Sequence, residues 1–174
     1  MSAWQVPWDG RLYEMPGRDS QRGKVYDAEH TCFAKIREAK QLANLTQPQL
    51  QSMVNAMWES DCVQDLLVKA GRQSSQLAPE VRLKNKGGWA KGCPAYISLP
   101  PWALNLHTFI HEIAHAIAPF GSKHSWMFCA VMLLLVEEFM GLAEANRLRR
   151  AYIVGKVKFR PRVRHIVSVA ADRK

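Results

Sequence analysis

Apolar positions recur with a helical period along most of this chain, and the period breaks in one region. Across "DSQRGKVYDAEHTCFAKIREAKQL", Val25, Ala28, Cys32, Ile36 and Leu42 roughly follow helical spacing, with a capping signal at Asp19 or Ser20. "TQPQLQSMVNAMWES" predicts a second helix with Thr46 as N-cap, Gln49 at the capping-box position and Pro48 in the first turn. A short third helix, "CVQDLLVKAG", is expected to end at Gly71. After Pro79 the pattern changes to alternation. "EVRLKNKGGWAKGCPAYISLPP", broken at Lys86-Gly87-Gly88, reads as a β-hairpin or small antiparallel sheet. Helical spacing then returns in "WALNLHTFIHEIAHAIAPF" and "SKHSWMFCAVMLLLVEEFMG", separated at Gly121 with Ser122 as the expected cap of the second. "LAEANRLRRAYIV" is the last helix. The expected class is α+β, a small antiparallel sheet with helices before and after it.

Residues 1–18 carry Trp, Pro and Gly without a period and read as an irregular arm. The division that follows is an arm over 1–18, one domain over 19–155 and a basic segment over 156–174. A chain of 174 residues suits a single core, and 48% hydrophobic with 22% charged residues is a globular balance. The longest apolar run, "WMFCAVMLLLV", is too short to span a bilayer and suits a helix buried on nearly all sides. No basic region followed by an apolar run opens the chain, so a soluble, cytoplasmic protein with no membrane partner is expected. Cys32, Cys62, Cys93 and Cys129 are widely separated and form no CxxC pair, which points to free thiols.

The formal charge is +9, much of it in "NRLRRAYIVGKVKFRPRVRHIVSVAADRK". Such a tail favours nucleic acid or another polyanion. A solvated basic tail is the plainer account, since no aromatic-interleaved repeat or finger motif accompanies it.

The candidate chemistry lies in "HEIAHAIAPFGSKH", residues 111–124. Residues four apart share a helix face, so His111 and His115 can hold one zinc ion, with Glu112 beside the first ligand. A catalytic zinc site commonly takes a third protein ligand and keeps a position for water. "PFGSK" is a turn that can return His124 to the metal, and a ring at a helix N-terminus stays neutral and able to ligate. Glu137 and Glu138, one helix further on, are the rival third ligands. His107 lies one turn before His111, but a straight helix spreads 107, 111 and 115 over about 12 Å, so one ion cannot reach all three.

"HEIAHAIAP…KHSWMF" resembles the SprT-like and minimal gluzincin-type metalloproteases, in which HExxH is followed by His-Gly-x-x-aromatic. That resemblance implies His111, His115 and His124 as ligands and Glu112 as general base. Together with "RDSQRGKVYDAEHTCF", the stretch "ISLPPWALNLHTFIHEIAHAI" is similar to a family of small HExxH metallohydrolases from actinobacteria and their phages, over roughly residues 18 to 160. Ser125 stands where the SprT-like pattern has Gly, and the loop before His124 is shorter than in many of those proteins. The resemblance implies a zincin-like fold with the strand "AYISL" as an edge for extended peptides.

The expected function is a zinc-dependent peptidase acting on a polypeptide, with Glu112 moving the proton from water to the leaving amine. Tyr96 and Tyr152 are candidates for stabilising the oxyanion. Two other readings stay open: a nucleic-acid-associated protein acting on DNA-bound proteins, and a zinc-stabilised module without turnover. Glu112 separates the last from the first, because a structural site needs no base beside its metal.

Overall fold

The computed structural model describes residues 4–5, 12–13, 19–39, 41–73, 76–119 and 121–159. Two short strands, β1 (Trp4–Gln5) and β2 (Leu12–Tyr13), pair antiparallel within the stretch that shows no period. The rest is α1 (Arg22–Glu38), α2 (Gln47–Glu59), α3 (Asp61–Lys69), β3 (Glu80–Leu83), β4 (Lys91–Gly92), β5 (Tyr96–Leu99), α4 (Leu106–Ile117), α5 (Trp126–Met140) and α6 (Leu142–Val154). The class is α+β.

Local signals set most helix ends. The Thr46 N–H donates to Gln49 Oε1 at 2.8 Å while the Gln49 N–H returns to Thr46 Oγ1, a complete capping box. α3 ends in a Schellman turn. Gly71 takes φ +74°, its N–H donates to the Val68 carbonyl, and the Arg72 N–H donates to the Leu67 carbonyl at 2.9 Å. α4 starts four residues later than the apolar pattern implies. Pro101–Ala103 forms a separate 3₁₀ turn, and Asn105 caps the helix by accepting the Thr108 N–H at 2.9 Å. Ser122 does not cap α5. It sits in the turn, its N–H on the Pro119 carbonyl, and Ser125 accepts the Met127 N–H instead. α1 stops at Glu38, with Phe33 out of helical geometry at φ −116°, and Leu42 is buried in the turn beyond.

The sheet is mixed, not antiparallel. Its order is β3-β5-β4, with β3 parallel to β5 and β4 antiparallel to it. The hairpin is the tight β4–β5 turn, closed by the Cys93 N–H on the Tyr96 carbonyl, rather than a fold-back at Lys86-Gly87-Gly88. β3 tolerates an edge position because α2 covers it: the Val81 N–H donates to Gln51 Oε1 at 2.7 Å. β5 is therefore the central strand, and the edge beside α4 is β4.

α5 runs through the core, with Met127 to Leu133 buried without interruption. It packs on α4 and α6, and α1 closes over α4 and α6. From Lys156 the chain turns back: Val157 is buried, and the Lys158 N–H donates to Gln21 Oε1 at 2.8 Å. The remainder of the basic segment, 160–174, lies outside the described residues. The four cysteines are free thiols, and burial pushes those of Cys32 and Cys62 up to about 11. Among the described residues no helix is long and apolar enough to cross a membrane.

Candidate metal centre

His111, Glu112 and His115 lie on α4, and the turn after it brings His124 back against them. That reversal uses two left-handed residues, Gly121 at φ +80° and Lys123 at φ +47°. The ring centroids of His111 and His115 are 4.9 Å apart, those of His115 and His124 4.8 Å, and those of His111 and His124 5.4 Å. One ring nitrogen from each lies within 4.8 Å of the other two, close enough to bind a single ion. Phe128 of α5 packs against all three rings, and Tyr26 of α1 stacks on His111 at 5.5 Å and meets His124 edge-on at 5.0 Å.

Two carboxylates orient the rings from behind. Glu29, fully buried on α1, lies 2.8 Å from His111 Nδ1 and 3.1 Å from His107 Nε2 through one oxygen. Its other oxygen accepts the Tyr152 hydroxyl at 3.0 Å. Burial opposes ionisation of Glu29, but the His111 and His107 imidazoles hold it well below the usual carboxylate range. Asp19 Oδ2 lies 2.7 Å from His124 Nδ1. A ring whose Nδ1–H is given to a carboxylate presents Nε2 as its ligating atom. His124 Nε2 is buried and has no hydrogen-bond partner among the described residues, which fits a nitrogen turned towards a metal.

The electrostatics favour neutral rings at His115 and His124. Burial, then the neighbouring His111 and His124, lowers His115 well below its ordinary value. Burial also lowers His124, against the opposing pull of Asp19. Neutral imidazoles are the ligating form. Burial raises the Glu112 carboxyl, against His111 and a backbone hydrogen bond from Gly92. Gly92 is required at that contact, because a Cβ there would lie 1.9 Å from the Glu112 carbonyl oxygen.

Two cavities of about 320 Å³ each meet at Glu112. One is lined by Arg22, Tyr26, Arg72, Glu112, His115 and His124. The other is lined by Tyr26, Glu29, Trp89, Trp102, His111 and Glu112.

Other candidates fall elsewhere. Glu137 pairs with Arg149 at 3.8 Å and Glu138 is exposed at the far end of α5, so neither joins the cluster. His107 is buried against Phe33 and reaches Glu29 rather than the three-ring centre. Tyr96 lies under Arg82 and Lys91 on the sheet, and Tyr152 is wholly buried, so neither tyrosine lines the cavities. Tyr26, Glu29, Asp19 and Arg72 are the residues that sequence reasoning passed over. Asp19 was legible only as a capping signal, and Glu29 only as an acidic residue four positions from Val25 on the buried stripe of α1.

Comparison of the chain with family models, with curated proteins and with solved structures returns no match.

Proposed function

We propose that this protein is a zinc-dependent metallohydrolase of the HExxH type, with a zincin-like fold and peptidase activity, similar to the SprT-like group and the small actinobacterial and phage metallohydrolases. One observation carries the reading: three ring nitrogens lie within reach of one ion, and a buried glutamate lines the same cavity. Three neutral imidazoles suit zinc better than calcium or magnesium, which take oxygen ligands. Zinc held by His111, His115 and His124 would polarise a substrate carbonyl and make water acidic enough to lose a proton near neutral pH.

The chain's own groups supply the rest. Glu112, its carboxyl raised by burial, takes a proton from the attacking water and hands it to the leaving amine. Glu29 and Asp19 hold His111 and His124 in their ligating orientation. The Tyr26 hydroxyl, with the Arg22 guanidinium over its ring at 5.4 Å, is a donor on this wall that can meet a developing oxyanion. β4 is the sheet edge beside Glu112, and an extended peptide added there would pass the base.

The test is Glu112→Gln, which keeps size and helix propensity. Zinc content by elemental analysis should stay at one per chain, while peptide hydrolysis falls by about two to four orders of magnitude. His115→Ala should lose the metal. Full activity in Glu112→Gln would remove Glu112 as the base, and a zinc-free protein after purification with added zinc would remove the metal centre.

A further inference from the structure

Arg72 is a half-buried cation with no carboxylate partner among the described residues. Its backbone is locked by the Schellman turn at Gly71, and its Nη2 donates to the Ala118 carbonyl at 2.9 Å, just past the end of α4. The guanidinium is thus fastened at both ends, on the wall of the cavity that also holds Glu112, His115 and His124. Burial costs this charge, and no carboxylate among the described residues offsets it. A guanidinium keeps a planar fork of five donors, and a single bond to Ala118 leaves most of them for a ligand. Across Glu112, the second cavity has the opposite character. Trp89 and Trp102 flank it, 76% and 41% exposed, with the Trp102 indole N–H fixed on the Gly88 carbonyl at 2.8 Å. Exposed indoles held in place are a binding surface more than a packing one.

We propose that the substrate is a peptide bearing a carboxylate that docks on Arg72 on one side of the scissile bond and a bulky apolar or aromatic residue against Trp89 and Trp102 on the other. This rests on the hydrolase reading of the same site and narrows it to a substrate class. The carboxylate has two sources, an acidic side chain or a free C-terminus, and both satisfy the same fork.

Four peptides of one sequence separate the sources: Glu with an amidated end, Gln with a free end, Gln with an amidated end, and Glu with a free end. Each is made with Phe or Ala across the scissile bond. Binding is read by calorimetry on the zinc-loaded full chain carrying Glu112→Gln, so no turnover is needed, and kcat/KM is read on the unaltered protein. At least one carboxylate peptide should bind about 10–100-fold tighter than the Gln-amide peptide, the range for a charge-assisted bidentate contact. Arg72→Gln should abolish that preference, and Arg72→Lys should restore only part of it. Phe should bind several-fold tighter than Ala. Equal dissociation constants across the four peptides, or a carboxylate preference that survives in Arg72→Gln with its circular dichroism unchanged, would overturn the anchor; equal binding of Phe and Ala would overturn the aromatic side. If the unaltered protein cleaves none of the peptides while binding follows the expected order, the hydrolase reading fails and the anchor stands.

Discussion

Helices α4 and α5 lie against each other and are both buried along most of their length, yet they are built from different chemistry. Of α5, Met127 to Leu133 are buried and apolar, so the helix needs only shape-matched neighbours. α4 buries His107, Thr108, His111 and Glu112 among its apolar residues. A buried polar group without a partner costs roughly 1–3 kcal/mol, so each must be met from elsewhere in the fold. α1 supplies Glu29 to His107 and His111, α6 supplies Tyr152 to Glu29, β4 supplies the Gly92 backbone to Glu112, and the chain before α1 supplies Asp19 to His124. The contrast teaches where to look for function in a small core. α5 makes the protein stable, and α4 draws its neighbours' side chains into one network.

The largest expected effect lies in α5. Leu135→Ala removes a fully buried side chain from the apolar helix and should cost about 2–5 kcal/mol in urea denaturation, with zinc affinity of the folded protein unchanged. A tenfold loss of zinc affinity in that variant would mean that the two helices do not divide the work as stated. Glu29→Gln attacks the network instead. Its effect should appear as a 10–100-fold loss of zinc affinity in competition with a chromophoric chelator, because His111 loses its orienting carboxylate. Unchanged affinity would reduce Glu29 to a packing role.

Acid gives a smaller and more graded test of the same contrast. His115 and His124 are held below their ordinary values by burial, so the unfolded chain binds their protons more readily than the folded one. Stability of the chelator-treated protein should therefore fall as pH drops through about 6.5, by up to about 1.4 kcal/mol per pH unit for each histidine. Glu29 has the same sign but acts in a lower pH window. Its depressed carboxyl contributes stability that is fully present above its unfolded value of 4.5, so it stays constant between pH 6.5 and 5.5. Denaturant titrations at pH 7 and pH 5.5 check this, and equal midpoints would contradict neutral, buried rings.

Much of the helical framework was legible from residues within one turn of each other. Thr46 and Gln49 announce the start of α2, Gly71 the end of α3, and the apolar run of residues 126–136 the buried course of α5. The pairing of His111 with His115 follows from helix periodicity alone, and the approach of His124 from a short turn after it. These are local facts, since hydrogen bonds and side-chain neighbours in a helix span three or four residues. The sheet was not legible in the same way. Alternation marks β3 and β5 as strands but does not say which edges pair; β3 pairs parallel with β5, and its other edge is met by Gln51 of α2. The site's supporting groups were the least legible of all. Glu29 meets His111 across 82 positions, Asp19 meets His124 across 105, and Arg72 meets Ala118 across 46. Periodicity and capping carry no information at such separations, because only the packing of α1, α3 and the turn after α4 against one another brings those atoms within hydrogen-bonding range.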